Sequence, residues 1–561
     1  MGALNELTFD FSSLGSDDGL GHTSMIKWQN VSSKLFSSAG RRALVLGVLT
    51  GIFAGTTFIP FPPWAVFFIY VPLLISFFEE TSLRRHFMAG WWAQFTLTLI
   101  GFHWIAFTAK EFGQMPWPVA ILVLLSFAGL MHLHIPVAMA VAGWLRTKLR
   151  LSPATGLITI LMCFILAERF WPMIFKFHFG YTFLWAKLPI YHWADVIGFT
   201  GLSGLIFLGN GLFYLMWRDR KNLRQVSILA FIFILIFGGL NYTGSFRGQN
   251  LPVPDTSVQF LAVQANIGNL ERIYAEKGRG YQNEITQRYI KETETGLSKF
   301  PTAQVVVWPE SAFPDFLDAP YLDNPRQIAI RDMIRKFNLP FIIGSFSKEK
   351  SLGEIDRAIF NALFSFDAQG AMLQGYRKSQ LLAFGEYLPF SETFPILNKL
   401  VPFVSSFGRG PGAQVVPLPV NGQNYRFGPQ ICYEGLEPAF SRTLANLGSQ
   451  VMINVTNDSW FGHTFEPSQH LYMTLARGVE NRLPLLRVTN TGITTAILAN
   501  GTVLQKSPID EVWSGVYDIS FSSNPKPTFY ARFGDWDQWI YLAILLIVIF
   551  QGVWNVRTRQ R

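Results

Sequence analysis

The chain runs to 561 residues, enough for two or more domains, and carries a net charge of +9, yet only 15% of it is charged while 50% is hydrophobic and 15% aromatic. That is the composition of a membrane protein. Its basic residues sit in short clusters between apolar runs rather than in one stripe or tail, so they read as topology anchors and no nucleic-acid partner is expected.

In chain order, residues 1–40 are polar, hold no apolar core followed by a small-residue cleavage site, and are expected to form a flexible extension rather than a cleaved signal peptide. A spanning helix needs about 20 mostly apolar residues. Seven candidate runs follow, near 43–60, 63–78, 88–108, 117–145, 155–172, 193–217 and 226–243, with an eighth near 536–554. Lys and Arg gather on alternate sides of these runs. Arg41 and Arg42, Arg84 and Arg85, Arg146 to Arg150, Arg218 to Arg224 and Arg557 to Arg561 fall on one side; the other offers only Lys110 beside Glu111, and Lys176 and Lys187 in an aromatic-rich segment. The positive-inside rule then predicts both termini in the cytoplasm and the region between helices seven and eight outside, with the aromatic segment 170–193 at the membrane interface. Gly47, Gly51 and Gly55 have the spacing that lets a second helix approach closely. His132 and His134, two apart, are expected on different sides of a helix and not as a metal pair.

The segment between the last two spans holds roughly 290 residues, too many for a loop by ordinary length priors. The expected organisation is therefore a polar extension (1–40), a seven-helix membrane domain (41–244), an outer domain (245–530), and a final helix with a basic tail (531–561). The outer domain has short β-branched runs between helical patterns, at 258–265, 304–310, 340–346, 362–370, 425–434, 451–458 and 494–501. Such runs fit strands buried on both faces in an α/β fold. The turn from Asp367 to Gly370 and the Asn500-Gly501 pair predict hairpins, so the sheet should be mixed.

Three residues of this domain bear chemistry. Cys432 ends an apolar strand, where open α/β sheets build their sites, although a free cysteine is more often a small buried hydrophobe. Cys163, the other cysteine, lies in an apolar run, so no disulfide between them is expected. Glu310 closes the run QVVVWPE, in an apolar frame that would make a carboxylate more basic; it equally fits a strand-end acid paired with a surface base. Lys378 follows Tyr376 and Arg377, and by itself reads as a loop charge. There is no Gly-x-Ser-x-Gly elbow, no phosphate loop and no cysteine-rich metal spacing, so no cofactor and no metal are expected.

WPES around Glu310, Lys378 ahead of FGEYLP, and ICYE around Cys432, in that order, resemble the nitrilase superfamily. With the helices, and with VQANI (263–267), FGRGP (407–411), NDSWFG (457–462), QHL (469–471) and RLPLLRVTNTG (482–492), the chain resembles that superfamily's membrane-bound branch, the apolipoprotein N-acyltransferases, from about residue 41 to the end. The resemblance implies an α-β-β-α sandwich outside the bacterial inner membrane, carried on eight transmembrane helices. It implies Glu310 as general base, Lys378 as stabiliser of the oxyanion and Cys432 as nucleophile, with support from Glu386, Tyr433 and Glu434. It further implies a phospholipid acyl donor such as phosphatidylethanolamine, and as acceptor the α-amino group of a lipoprotein's diacylglyceryl-cysteine. Two positions depart from the pattern: Ala383 stands where a proline precedes Phe-Gly-Glu, and Ile273 or Tyr274 where a tryptophan is expected. A membrane-tethered amidohydrolase with the same triad and a non-catalytic lipoprotein-binding module are the competing readings.

Overall fold

The computed structural model describes residues 38–276, 278, 280–318, 324–348, 359–391, 393–396, 399 and 407–560, so all but the last three residues of the expected extension lie outside the described residues. Ser38–Gly55 and Leu83–Gly101 form two packed helices. Their closeness depends on the small residues: a Cβ at Gly47 would lie 2.4 Å from the Ala89 carbonyl oxygen, and one at Gly51 2.6 Å from that of Ala93.

The run at 63–78 differs from expectation. Pro60, Pro62 and Pro63 offer no amide hydrogens, so the chain turns through residues 64–70 and is helical only over Val71–Glu79, too short to span a bilayer. Among the described residues five helical stretches are long and apolar enough to cross a membrane: Trp117–Lys148, Pro153–Phe170, Pro189–Arg218, Leu223–Gln249 and Asp537–Arg559. Phe231 and Leu235 on the fourth remain 66% and 64% exposed, an apolar face suited to lipid. The first stretch breaks at 131–133, which brings the rings of His132 and His134 to 5.7 Å, closer than a continuous helix would hold them.

After these helices come two mixed sheets. The six-stranded one has the order β11-β1-β2-β3-β4-β5, with β1 Thr256–Gln264, β2 Val305–Val307, β3 Phe341–Lys348, β4 Ile359–Phe366, β5 Met372–Arg377 and β11 Trp513–Phe521. The five-stranded one has the order β10-β9-β8-β7-β6, with β6 Val416–Val420, β7 Gln423–Ile431, β8 Val451–Thr456, β9 Leu485–Thr489 and β10 Thr495–Ile497. Their inner faces share one apolar core, from Phe260, Val307 and Leu363 across to Phe427, Ile453 and Val488. Helices Gln282–Lys299 and Pro325–Phe337 cover the six-stranded sheet through Tyr289, Leu297 and Ile334. Helix Glu466–Asn481 covers the other, giving α-β-β-α layering.

That last helix is buried almost throughout, because its second side packs on the membrane-type helices. Arg477 Nη2 donates to the Tyr181 hydroxyl at 3.0 Å, and Arg482 Nη2 to the His192 carbonyl at 2.8 Å. The aromatic segment 170–193 is consequently wedged between the two parts, with Phe177, Phe179, Tyr181 and Phe183 buried.

Candidate active site

Both sheets deliver chemistry to one place. Glu310 follows β2, Lys378 follows β5 and Cys432 follows β7, each just past a strand's C-terminal end. At Cys432 the chain adopts φ +51°, a left-handed conformation that costs a non-glycine residue about 1–3 kcal/mol, and enters the 3-10 turn Cys432–Leu436. Burial, followed by the charge of Glu310, pushes the Cys432 thiol well above its ordinary range despite the pull of Lys378, so the resting group is the neutral thiol. A base must therefore act before it can attack.

Glu310 fits that need. Its Oε1 accepts from Asn361 Nδ2 at 2.6 Å and its Oε2 from the Asn457 amide at 2.9 Å. Burial raises its affinity for a proton, and Lys378 opposes this without cancelling it. Lys378, 1% exposed, lies with its Nζ 3.6 Å from Glu310 Oε1 and 2.8 Å from the Glu386 carboxylate. Burial disfavours its charge, but Glu386 and then Glu310 more than compensate, and it stays an ammonium. Glu386 is fixed in turn by the Leu382 amide, 2.9 Å from its Oε2, and by Asn361.

Glu434 acts differently. It is fully buried, and its Oε1 accepts from the Tyr376 hydroxyl at 2.6 Å and from the amides of Ser379 and Gln380 at 2.8 and 3.1 Å, while Oε2 accepts from the Ile431 amide at 2.9 Å. One carboxylate thus ties the segment bearing Lys378 to the elbow bearing Cys432. Tyr433 donates its hydroxyl to the Ile174 carbonyl and so joins the elbow to the segment between the helices. The arrangement is equipped for attack by a thiol on a carbonyl, with a base and a fixed cation at hand.

Residues 50–212 match the apolipoprotein N-acyltransferase N-terminal domain, and residues 261–519 match the carbon-nitrogen hydrolase family. The apolipoprotein N-acyltransferase of Bdellovibrio bacteriovorus is 49% identical over 520 residues, covering 91% of this chain and 94% of that one. The chain belongs to the apolipoprotein N-acyltransferase family. The family's member from Geobacter metallireducens is 29% identical over 533 residues, 91% of this chain and 96% of its own. Among solved structures, a carbon-nitrogen hydrolase from Helicobacter pylori G27 is 15% identical, covering 51% of this chain and 94% of that one with a TM-score of 0.35.

The remaining motifs of this N-acyltransferase family member fall around the site. Gly410 donates its amide to the Lys378 carbonyl at 2.7 Å and Phe407 to that of Glu386 at 3.1 Å, so FGRGP braces both residues. In NDSWFG, Asn457 holds Glu310, while Trp460 stacks at 3.8 Å on Phe112 beyond helix Trp104–Glu111. Of the two departures, Ala383 pairs with Tyr387 in an isolated bridge, and Tyr274 is 42% exposed with its ring stacked on Tyr281. Sequence reasoning missed Asn361, Asn454 and Arg487 as individual contributors. The signal was present, since each is a large polar side chain inside a mostly apolar, buried strand.

Close packing holds Glu310 from behind. A Cβ on Gly344 of β3 would lie 2.1 Å from the Pro309 carbonyl oxygen and 2.8 Å from Glu310 Cα. Gly344→Ala should therefore lower the unfolding free energy by about 1–3 kcal/mol, as overpacked sites do. Thermal unfolding in detergent checks this, and a melting temperature equal to the parent's would show that the strand can give way.

Proposed function

We propose that this chain moves an acyl chain from a phospholipid, phosphatidylethanolamine among them, through a thioester on Cys432 to the α-amino group of the S-diacylglyceryl-cysteine at the N-terminus of an apolipoprotein. The observation that carries this reading is the convergence of Glu310, Lys378 and Cys432 in one site, inside a chain of this family that also bears membrane-length helices. Glu310 takes the thiol proton as sulfur bonds to the ester carbonyl, and the oxyanion forms against Lys378. Collapse breaks the ester C–O bond, and Glu310 returns the proton to the departing lysophospholipid. The amine then attacks the thioester, its proton passes to Glu310, and as the C–S bond breaks Glu310 hands that proton to the departing sulfur, regenerating the thiol and the carboxylate.

In this reading eight segments span the bacterial inner membrane, seven before and one after a periplasmic catalytic domain at 245–530, with both termini cytoplasmic; the second crosses as the turns at 64–70 followed by the helix Val71–Glu79. The alternation of basic clusters supports it. So does substrate chemistry: each buried CH₂ of an acyl chain holds its lipid in the bilayer by about 0.8 kcal/mol, so the enzyme has to meet both substrates there.

The test is purified protein in detergent with phospholipid labelled in one acyl chain and no acceptor. A hydroxylamine-sensitive adduct should form and be discharged by a diacylglyceryl-cysteine peptide with a free amine, not by an N-blocked one. Release of free fatty acid or ammonia without a dischargeable adduct would instead favour an amidohydrolase. The rate of adduct formation should fall with pH as Glu310 gains a proton. Because burial raises that carboxyl, the acid limb should lie above the ordinary glutamate value of about 4.3. In Glu310→Gln the single-turnover rate should be slow and lose this limb; an unchanged limb would assign it to another group.

A further inference from the structure

A chain of buried polar side chains stands behind the Cys432 elbow, and the acyl-transfer steps above do not use it. The Cys432 carbonyl accepts from Asn454 Nδ2 at 3.2 Å. Asn454 Oδ1 accepts from Arg487 Nη1 at 2.9 Å, and Arg487 Nη2 donates to Asp458 Oδ2 at 2.7 Å. Asp458 Oδ1 lies 3.1 Å from His470 Nδ1. Asn454 and Arg487 are fully buried direct partners in the register of β8 and β9, and Gln430, two residues before the nucleophile, pairs with Asn454 in β7.

Burying a guanidinium on a strand of this mixed sheet costs several kcal/mol in desolvation that apolar packing would avoid, so its fixed geometry is the feature to explain. Arginine has donors only. Asn454 is therefore obliged to turn its oxygen to Arg487 and its amide hydrogens to the Cys432 carbonyl, which leaves no choice of amide orientation. Burial alone would raise the Asp458 carboxyl, but Arg487 and then His470 bring it down to about 2, so the anchor of the chain keeps its charge. Glycines close the space around it: a Cβ on Gly435 would lie 2.9 Å from Asn454 Nδ2, and one on Gly492 2.0 Å from Asp458 Oδ2.

We propose that Asn454, held by Arg487, is a positioning residue that locks the Cys432–Tyr433 peptide so that the Tyr433 N–H faces the reacting carbonyl and joins Lys378 as an oxyanion donor. In a planar trans peptide the C=O and N–H point opposite ways, so fixing one aims the other. Rotation of the peptide would bring a carbonyl oxygen to the place of the donor and repel the developing charge.

The inference rests on the acyl-transfer reading, and its test separates the two. Single-turnover thioester formation from labelled phospholipid is compared with alkylation of Cys432 by iodoacetamide, a displacement that builds no oxyanion. In Asn454→Ala, thioester formation should slow by about 10- to 100-fold, less than the ~100- to 1,000-fold loss of a donor outright, with KM for phospholipid and the alkylation rate unchanged. Asn454→Asp, which keeps the shape and the Arg487 contact but turns an acceptor to the Cys432 carbonyl, should be slowed at least as much. Gly435→Ala reaches the same end by displacing the amide, and guards against a substitution at 454 that fails to fold. Acylation at the parent rate in these variants overturns the inference while the acyl-transfer reading stands. So does a fall in alkylation parallel to that in acylation, which would make the network a support of the fold alone. Absence of a thioester in the unsubstituted protein removes the reading itself and the inference with it.

Discussion

Cys432→Ala protein should take up no hydroxylamine-sensitive label from acyl-labelled phospholipid, while melting close to the parent. The first half follows from chemistry. Alanine has no group to attack the ester, and the other nucleophilic side chain in contact with Glu310, Lys378, is held as an ammonium by Glu386 and Glu310. The second half follows from structure. Alanine keeps the Cβ that already tolerates φ +51°, the elbow's main chain stays tied through Glu434 to the Ile431 amide, and Cys432 is only partly buried, so little packing is lost. Cys432→Ser is the sharper comparison. An alkyl hydroxyl holds its proton more tightly than a thiol, and a carboxylate such as Glu310, even raised by burial, is a poor base for it. Intact-protein mass spectrometry should find the serine form unacylated on the timescale at which the parent is complete. Stable labelling of Cys432→Ala would move the nucleophile elsewhere and remove the mechanism.

Much of this site could be read before any coordinates, for physical reasons that vary by residue. Glu310 closes QVVVWPE, whose apolar core announces a strand buried on both faces, and Cys432 closes YRFGPQICYE, a more mixed run buried over its second half; a reactive group at the end of such a strand is conspicuous. Lys378 was legible only through resemblance. Its preceding strand, MLQGYR, alternates exposed and covered residues and carries no strong signal, and the ion pairs that define Lys378 join β2, β5 and the turn at Glu386, separations that no local pattern encodes. β6, β9 and β11 go unread as well: PLP in the first and SGVYD in the last dilute the apolar run, LLRVT is short and interrupted by Arg487, and their partners supply the burial. The helix at 63–78 was overextended because hydropathy counts the prolines' neighbours as apolar, whereas the backbone counts missing amide hydrogens. In the aromatic segment 170–193 composition announces a dense aromatic surface but not its tertiary partner, the covering helix Glu466–Asn481.

The second large effect is expected at Lys378, where catalysis and stability should fall together and can then be separated. Its ammonium lies between two carboxylates, 3.6 Å from Glu310 and 2.8 Å from Glu386, and Asn361 Nδ2 contacts both of them. Lys378→Met leaves these acids facing each other in a buried site without their cation. Breaking a buried pair in this way typically costs about 3–5 kcal/mol, and one of the carboxyls should recover part of it by binding a proton. If the proton settles on Glu310 the base is lost, and the oxyanion has lost its cation in either case, so thioester formation should slow by at least ~100- to 1,000-fold. Adding Glu386→Gln to Lys378→Met removes the like-charge conflict while leaving the oxyanion uncovered. The double variant should regain most of the lost melting temperature and none of the acylation rate, measured by thermal unfolding and single-turnover labelling on the same preparations. Acylation that returned with stability would reduce Lys378 to a structural counter-ion for Glu310 and Glu386; stability untouched by Lys378→Met alone would mean that the two acids do not share a buried charge at all.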